Sequence, residues 1–549
     1  MLEDLDLGGL PDQRSRELVL RLLNLIETLT ADLHAAQTET QRLRDELNRL
    51  KGEQGKPDTK PNVRPKPPAD HSSEAERKLP KQHIKRAKLT TLMIDREQLL
   101  TLDPATLPPD AEFKGYQAVT VQDLRLQTDN VRFLKEEYYS PSTKQTYLAA
   151  LPAGYSGEFG PGIKALILVF YYASQMSEPK ILDFLGHVGI QISAGTISTL
   201  LIKGQEPFHA EQDAAYLAGL RSSPWQHLDD TLTRVNGHNE HCHVICNPLH
   251  TTYRTTPGKD RLSVLDVLNN GQQRRFLLNE DALAYLDALR IAQVRRRQLL
   301  HLPRDQMMDE ETLLGLLAVH LPGVGSQTKK WILEALAVAA YQAQSEVPVV
   351  RLLMCDDAPQ FQWLTDELAL CWVHAGRHFK KLTPCIERHR QELEKFQKEF
   401  WGYYHELRRY AEAPTVGERE RLEAAFDVLF GQRTGYWALD ERIAVTRGKK
   451  EELLVVLSHP EVPLHNNAAE LGARQRVRKR DVSFGPRTRE GSKAWDTFMS
   501  LAATTKKLGV SFYHYIHDRV TQTNQIPQLA ELIDAHAAEL NLGASWERA

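Results

Sequence analysis

The stretch "VVRLLMCDD", residues 349–357, determines how the middle of this chain folds. Apolar residues dominate 349–355, which is typical of a strand buried on both faces of a sheet. The strand runs directly into Asp356 and Asp357. Acids at strand ends commonly form turns or cap helices. They indicate a functional site only if further acids reach the same edge of the sheet.

Other segments on both sides of this strand have strand character. A buried strand follows it after a short helix, in "LALCWVH", 368–374. Upstream, three short segments in quick succession predict an antiparallel meander: "PWQHLDDT" (224–231), "HVICNPL" (243–249) and "TTYRTT" (251–256). Asp229 and Asp230 lie within or at the end of the first of these strands. The segments together predict a mixed sheet with two pairs of acids at the tips of adjacent strands.

A third acid lies on a predicted helix, in "PLHNNAAELGAR", 463–474. Asn467 and Glu470 are three residues apart and Arg474 is four further on, so all three share one helix face. A buried face favours apolar residues, and an ordinary surface face has no need of two amides beside a carboxylate. This composition therefore indicates a functional face.

Asp229, Asp356 and Glu470 together predict a metal site, with Asp230 and Asp357 as open alternatives to their neighbours. Three converging carboxylates can hold two divalent cations roughly 4 Å apart. Hard oxygen ligands suit Mg2+ or Mn2+. Two such ions can activate a water or a 3′-hydroxyl and stabilise the leaving oxygen of a phosphodiester. The sequence has no persuasive Ser-His-Asp order and no phosphate-binding P-loop.

The chain resembles the insertion-sequence-66 family of transposases through four ordered motifs: "HLDDT" (227–231), "CDDAPQF" (355–361), "CWVHAGRHF" (371–379) and "HNNAAELGAR" (465–474). The resemblance runs over about 220–520. It implies a DDE transposase with a ribonuclease H-like catalytic core. It also implies that Asp229, Asp356 and Glu470 are the catalytic, metal-binding triad.

The same resemblance assigns supporting or DNA-binding positions: His374 and Arg377 in the "CWxHAxRxF" motif, the paired Asn466 and Asn467, and Arg474. Two departures from the family pattern are visible. Leu471 stands where an arginine usually follows the glutamate. Residues 51–160 contain no cysteine, so the zinc module that many members carry there is absent.

Two basic segments are candidates for DNA contact. "RQRVRKR", 474–480, adds Arg478, Lys479 and Arg480 beside the expected site, and the alternative is a solvated charged face. "LPGVGSQTKKWIL", 321–333, resembles a helix-hairpin-helix whose turn presents backbone N–H groups to a phosphate, with Lys329 and Lys330 assisting. The alternative there is an ordinary turn between helices.

The N-terminal part predicts assembly and DNA recognition. Val19 to Leu50 follows an unbroken heptad with β-branched residues and leucines in its core positions, which favours a parallel two-stranded coiled coil. The alternative is a helix packed on its own chain. A basic linker rich in Pro and Lys follows at 51–88. The strand-like segments "VTVQDLRLQ" (119–127) and 130–152 predict a small β-rich module with a turn near Ser140–Ser142. Residues 178–203 resemble a helix-turn-helix.

We therefore predict a multidomain α/β protein with a ribonuclease H-like mixed sheet and large helical insertions. The predicted domains are a dimerising coiled coil (1–50), the basic linker (51–88), the β-rich module (89–160), a helix-turn-helix region (161–222), a catalytic domain (223–495) with insertions near 259–346 and 386–458, and a helical tail (496–549).

Composition is consistent with a globular cytoplasmic protein. Apolar runs are too short to span a bilayer, no signal peptide precedes the acidic start, and five cysteines without regular spacing fit a reducing compartment. We expect a bacterial, nucleoid-associated location and no membrane partner. The segment "NGHNEHCHVIC", 236–246, contains zinc-ligand residue types, but strand alternation sends Cys242 and His243 to opposite faces. We expect no structural zinc.

The predicted function is a two-metal-ion DNA transposase. It would bind transposon ends as a homodimer or a larger synaptic assembly, hydrolyse the 3′ ends and join them to target DNA. Accessory proteins encoded by the element are possible partners. Two alternatives remain open: a non-catalytic DNA-binding protein on the same scaffold, and a metal-dependent nuclease that cuts without joining.

Overall fold

The computed structural model describes residues 12–51, 92–103, 106–155 and 157–547. The predicted linker at 51–88 lies outside the described residues, except for Lys51. The first element is a long helix, α1 (Gln13–Leu50). A hairpin follows, made of β1 (Glu137–Ser140) and β2 (Gln145–Leu148). Its turn falls at 141–144, close to the predicted position.

Four helices precede the central sheet: α2 (Pro161–Leu168), α3 (Glu178–His187), α4 (Ala194–Ile202) and α5 (Glu206–Arg221). A π-helical turn, Val169–Ala173, extends α2. Ser193 begins α4 by accepting a hydrogen bond from the backbone N–H of Thr196, as an N-cap serine does. The pair α3 and α4 has the helix–break–helix form that the sequence predicts. Its contact with DNA stays a prediction.

The centre of the molecule is a five-stranded mixed sheet in the order β5-β4-β3-β6-β7. Its strands are β3 (Trp225–Val235), β4 (His238–Cys246), β5 (Thr251–Thr256), β6 (Leu352–Cys355) and β7 (Glu367–Leu370). The first three form an antiparallel meander, and β6 and β7 run parallel to β3. The predicted mixed α/β architecture is therefore confirmed.

Two long helical segments interrupt the order of the strands and the motif at 465–474. Between β5 and β6 lie α6 (Arg261–Leu268), α7 (Glu280–Ala288), α8 (Gln293–Leu299), α9 (Glu310–His320) and α10 (Ser326–Ala343). After β7 come α11 (Trp372–Lys380), α12 (Glu387–Glu412), α13 (Val416–Leu429), α14 (Trp437–Arg447) and α15 (Lys450–Leu453). We call α12 to α15 the second insertion.

The late helices complete the domain: α16 (Asn467–Ser483), α17 (Arg489–Lys507), α18 (Phe512–Thr521) and α19 (Leu529–Leu540). One face of the sheet, with Leu228 and Leu353, packs with both insertions in the largest core. The opposite face, with Val244, packs with Trp495 of α17. Helix α16 lies against β3 and β4, and a Cβ at Gly472 would come within 2.6 Å of the Val244 side chain, so this close approach requires glycine.

Several predictions of element type or extent are wrong. Residues 119–127 form no strand, because none of the strands in the described part of the chain pairs with them; Val119 and Val121 are exposed. Strand β7 ends at Leu370, and the predicted strand residues from Trp372 onward begin α11 instead. The predicted domain boundary at 495 falls inside α17, whose residue Asp496 bonds to Thr255 of β5.

The N-terminal helix combines features of both interpretations of its heptad. Leu23, Asn24 and Glu27 are buried against the second insertion of the same chain. The heptad core positions Leu33, Leu43 and Leu47 face outward and are 57, 53 and 51% exposed.

Candidate active site

Asp229 and Asp356 share one face of the sheet. Strands β3 and β6 are parallel neighbours, with Trp225 opposite Leu352 and His227 opposite Met354. Continuing this register by two residues brings Asp356, which directly follows β6, beside Asp229. Adjacent strands lie about 4.8 Å apart, so the two carboxylates are close neighbours on the face that α16 covers.

The pKa of Asp229 reflects this closeness. Burial, followed by the nearby Asp356 carboxylate, raises the pKa of Asp229 to about 7. Glu470 and Asp230 add to this shift, while the backbone N–H of Asp230 opposes it. Burial also raises the pKa of Asp356, although His374 opposes the shift. Without a cation, the site therefore favours a protonated Asp229 near neutral pH.

Asp230 and Asp357, the second acids of the two doublets, have other partners. Asp230 accepts a hydrogen bond of 3.1 Å from the Gln360 side chain and lies 4.0 Å from His241. Asp357 forms an ion pair with Lys449 of the second insertion. Because successive strand residues face opposite sides, Asp230 lies on the side opposite Asp229. The geometry therefore favours the first aspartate of each doublet.

Asn466 fixes the start of α16 beneath the sheet. It is fully buried, donates a hydrogen bond of 2.7 Å to the Leu228 carbonyl, and its Oδ1 lies 3.0 Å from Nδ1 of His227. Burial lowers the pKa of His227 to about 3, so the imidazole is neutral and its Nδ1–H donates to Asn466. Both ends of its amide are committed to β3, which argues against the DNA-contact alternative for Asn466. Its supporting role stays a prediction.

Glu470 lies on the first turn of α16, nine-tenths buried and surrounded by cationic groups. Arg377 donates a hydrogen bond of 3.1 Å to Glu470 Oε2, and Arg474 lies 3.9 Å from the same oxygen. The other oxygen, Oε1, is 3.5 Å from His374 Nδ1. Within the described part of the chain, neither Oε1 nor Nδ1 has a hydrogen-bond partner. The Glu470 carboxylate is thus neutralised from one side only.

A second possible metal group includes Glu470. Among the described residues, the ligand atoms of Cys371, His374 and Glu470 all lie within 4.8 Å of one another, and Asp229 and Asp356 are outside that group. Burial raises the pKa of the Cys371 thiol to about 11, and Arg377 contacts both His374 and Glu470. A protonated thiol and an adjacent guanidinium both disfavour a cation there. In this structure the nearest cationic groups to the Glu470 carboxylate are therefore Arg377 and Arg474 of its own chain.

The basic segment 474–480 divides between the surface and the interior. Arg474 and Arg478 are exposed on the same side of α16 as Glu470. Arg480 donates to the Leu232 carbonyl of β3. Lys479 is fully buried, with its Nζ 3.2 Å above the Tyr171 ring, and burial lowers the pKa of the ammonium to about 7. The predicted DNA contact of Lys479 is wrong, because Lys479 lies on the side of the helix that faces the core. Arg480 is bonded to β3.

Three other predicted positions have different surroundings. Lys330 forms ion pairs within its own chain, with Asp260 at 3.5 Å and with Glu334 at 3.8 Å. Lys329 is partly exposed near the start of α10, after a turn in which Gly323 has φ +71°. Asn467 is buried, and its Oδ1 has no hydrogen-bond partner among the described residues.

Sequence reasoning did not single out several residues that shape this site. His227 orients Asn466, Gln360 holds Asp230, Lys449 pairs with Asp357, and Cys371 accepts a hydrogen bond from the Asn466 backbone N–H at 3.2 Å. Three of the four lie inside the motifs quoted above, so the sequence of those motifs could have identified them as residues of the site. Lys449 lies in the second insertion, and no local pattern connects it to Asp357.

Two comparisons with known proteins give matches for this chain. The model of the transposase IS66 family matches residues 342–494, which include Asp356, the 371–379 motif and Glu470. The chain is also 34% identical over 326 residues to the uncharacterized protein y4jO of Sinorhizobium fredii, and the aligned region covers 58% of this chain and 99% of that protein. The chain belongs to the IS66 family of transposases. Family membership indicates an enzyme that processes DNA.

The structure also bears on membrane insertion. Across the ranges that it describes, none of the helices combines the length and the apolar character needed to cross a bilayer.

Proposed function

We propose that this chain is a DDE-type DNA transposase that binds transposon ends, hydrolyses their 3′ strands and joins the resulting 3′-hydroxyls to target double-stranded DNA. The observation that carries the proposal is the pairing of Asp229 with Asp356 on the sheet face beneath Glu470. The match of the IS66 family model to residues 342–494, a span that contains Asp356 and Glu470, adds support. Proposed partners are a second copy of the chain, DNA, and accessory proteins of the element.

We further propose that the core is ribonuclease H-like. Its support is the strand order β5-β4-β3-β6-β7, with an antiparallel meander followed by two strands parallel to the first. In that arrangement the acids of the central strand and its parallel neighbour meet on one face, and the late helix α16 supplies the third acid.

The donor set fits hard divalent cations. Asp229 and Asp356 have raised pKa values because like charges are held together away from water, and Glu470 Oε1 is buried without a hydrogen-bond partner in the described chain. Oxygen-only ligands of this kind suit Mg2+ or Mn2+. When bound at Asp229, Asp356 and Glu470, two such ions would activate the attacking oxygen and neutralise charge on the leaving oxygen.

The remaining residues have proposed positioning roles. Arg377 holds Glu470 and balances its charge, and it also contacts His374, which lies 3.5 Å from Glu470 Oε1. Asn466 fixes the position of α16 against β3, and so keeps Glu470 over the sheet. Asn467 has a buried amide oxygen available to orient a ligand group. Arg474 and Arg478 offer exposed guanidinium groups to DNA phosphates.

The raised pKa of Asp229 predicts a pH-dependent response to Mg2+. The folded pKa, about 7, lies above the ordinary value of 3.8, so the proton on Asp229 stabilises the cation-free fold at low pH. That stabilisation declines as pH rises through about 7, and a bound cation replaces it. We therefore expect Mg2+ to raise the thermal midpoint of the protein more at pH 8 than at pH 6. Differential scanning fluorimetry with Asp229→Asn as the control checks this, because the variant should respond weakly at both pH values. An equal response of the wild type at pH 6 and pH 8 would contradict the account.

The division of the basic segment predicts contrasting effects on DNA binding. Arg478→Ala removes an exposed cation, so we expect weaker end binding and a slope of log affinity against log salt that is shallower by about 0.9. Lys479→Met removes a buried one and should leave both quantities unchanged. Fluorescence anisotropy with labelled duplex at salt concentrations from about 50 to about 200 mM measures them. Equal losses in the two variants would refute the assignment.

A strand-transfer assay tests the proposed function directly. Purified full-length protein is incubated with pre-cut element ends, supercoiled plasmid and Mg2+. Products in which the ends are joined to the plasmid support a transposase. Cutting without joining would indicate the nuclease alternative, and end binding without either product would indicate a non-catalytic DNA-binding protein.

A further inference from the structure

Helix α1 caps two helices of the second insertion. Asn24 is buried and accepts a hydrogen bond of 2.8 Å from the backbone N–H of Trp437, while its own amide donates to the Gly435 carbonyl at 2.8 Å. Glu27 is also buried. It accepts from the backbone N–H groups of Cys385 and Ile386 at 2.5 and 3.1 Å.

These contacts meet a need of the second insertion. The N-cap residues of α12 and α14, Ile386 and Tyr436, provide no side-chain cap of their own. The first backbone N–H groups of a helix lack partners inside it. Glu27 and Asn24 supply acceptors at these two starts, and Glu27 Oε2 also lies 3.0 Å from His389 Nδ1. A buried, multiply bonded carboxylate makes this anchor specific rather than incidental.

The opposite face of α1 remains uncovered. At about 100° per residue, Glu27 lies roughly 120° and Asn24 roughly 180° around the helix from the neighbouring heptad core positions. Beyond Thr30 the helix leaves the body: residues 31–40 are all exposed, and the last 20 residues extend roughly 30 Å. Leu50 at the far end is 84% exposed. We call Asn24 and Glu27 the anchor, and the row of heptad core positions from Val19 to Leu50 the heptad seam. Because they lie on different sides of α1, both can be in contact with a partner at the same time.

The charged residues that flank the heptad seam determine which helix can pair with α1. In a parallel, in-register pair, Glu39 of one copy faces Arg44 of the other, and Glu46 faces Lys51, because each position g meets position e of the following heptad. In an antiparallel pair the acids would face acids. Glu39 has an exposed partner, Arg42, one turn along its own helix at 2.8 Å, a pair that costs little to exchange. The seam therefore fits a second copy of α1 in parallel orientation.

We infer that α1 couples two copies of the chain. Its heptad seam pairs in parallel with α1 of a second copy, while Asn24 and Glu27 fix the same helix to the second insertion of its own chain. Dimer formation then sets the distance between the two second insertions, and with them the two candidate active sites. The inference rests on the dimer of the proposed function but on none of its chemistry.

Cross-linking of the full-length chain tests the orientation. In a Cys385→Ser background, which removes the exposed cysteine, Leu50→Cys lies at a seam position and Thr38→Cys lies on the outer face. Oxidation should give a disulfide-linked dimer with Leu50→Cys and little with Thr38→Cys. Leu33→Glu/Leu43→Glu should convert the chain to a monomer by light scattering. A dimer that survives this double substitution, or a Leu50→Cys dimer that fails to cross-link, would overturn the inference.

Spin labelling tests the anchor. With a label on Glu420→Cys of α13 in the same background, pulsed dipolar spectroscopy should give one narrow distance between the copies. Asn24→Ala/Glu27→Ala should broaden that distribution while the dimer mass stays unchanged. In the chain that keeps Cys385, the same double substitution should speed hydrogen exchange at the amides of Cys385 and Ile386. An unchanged distribution with unchanged exchange would overturn the anchor. Loss of DNA cleavage in a chain that passes both tests would count against the proposed function alone.

Discussion

Asp356→Asn should reduce cleavage of transposon ends by roughly 1,000-fold or more. The substitution keeps the size of the side chain but removes one anionic oxygen ligand from the pair formed with Asp229. A loss of about 4 kcal/mol of transition-state stabilisation corresponds to that factor. Single-turnover cleavage of a labelled end in Mg2+ measures the effect. End binding by anisotropy should be largely retained, because the proposed phosphate contacts are the exposed Arg474 and Arg478.

The matched control is Asp357→Asn. Asp357 forms its ion pair with Lys449 and belongs to the same doublet, so this variant should keep cleavage within a few fold of wild type. The reverse result, with cleavage retained in Asp356→Asn and lost in Asp357→Asn, would transfer the ligand role to Asp357.

Arg476→Ala should produce the largest loss of stability. Arg476 is fully buried, lies 3.1 Å from Asp496 and 4.9 Å from the Trp495 ring, and donates a hydrogen bond of 2.9 Å to Thr255. Removing it leaves the Asp496 carboxylate buried without its cation. Breaking a buried pair in this way costs about 3–5 kcal/mol. The thermal midpoint at a fixed scan rate should therefore fall clearly.

Two comparisons separate charge burial from a general effect of substitution on α16. Arg478→Ala, on the exposed side of the same helix, should change stability by no more than about 0.5 kcal/mol. Arg476→Met/Asp496→Asn removes both charges and should recover part of the loss. A midpoint for Arg476→Ala equal to that of Arg478→Ala would show that the buried pair contributes little.

The sheet and its acids were predictable because their signals are local. Apolar runs and alternation mark β3 to β6, and the acids follow directly in the sequence. Parallel register then places Asp356 beside Asp229. The failures have the opposite character. The segment 119–127 alternates like a strand, but a strand needs a pairing partner, and no local feature reveals that one is missing.

Long-range contacts account for the other differences. The segment 474–480 has the composition of a charged surface, yet Lys479 lies over the ring of Tyr171, about 300 residues earlier in the chain, and near the ring of Trp495 on the following helix. The heptad of α1 is visible in the sequence. Its second face is not, because Asn24 and Glu27 bond to groups more than 350 residues away. The anchoring of α1 thus required the tertiary structure.

A structure of crystals soaked in Mn2+ tests the central claim most directly, since anomalous scattering locates each ion without assumptions about its ligands. We predict ion density contacting Asp229 and Asp356, with the Glu470 carboxylate turned away from Arg377 to join them. Density confined to Asp230 and Asp357, or to Cys371 and His374, would contradict the proposed active site.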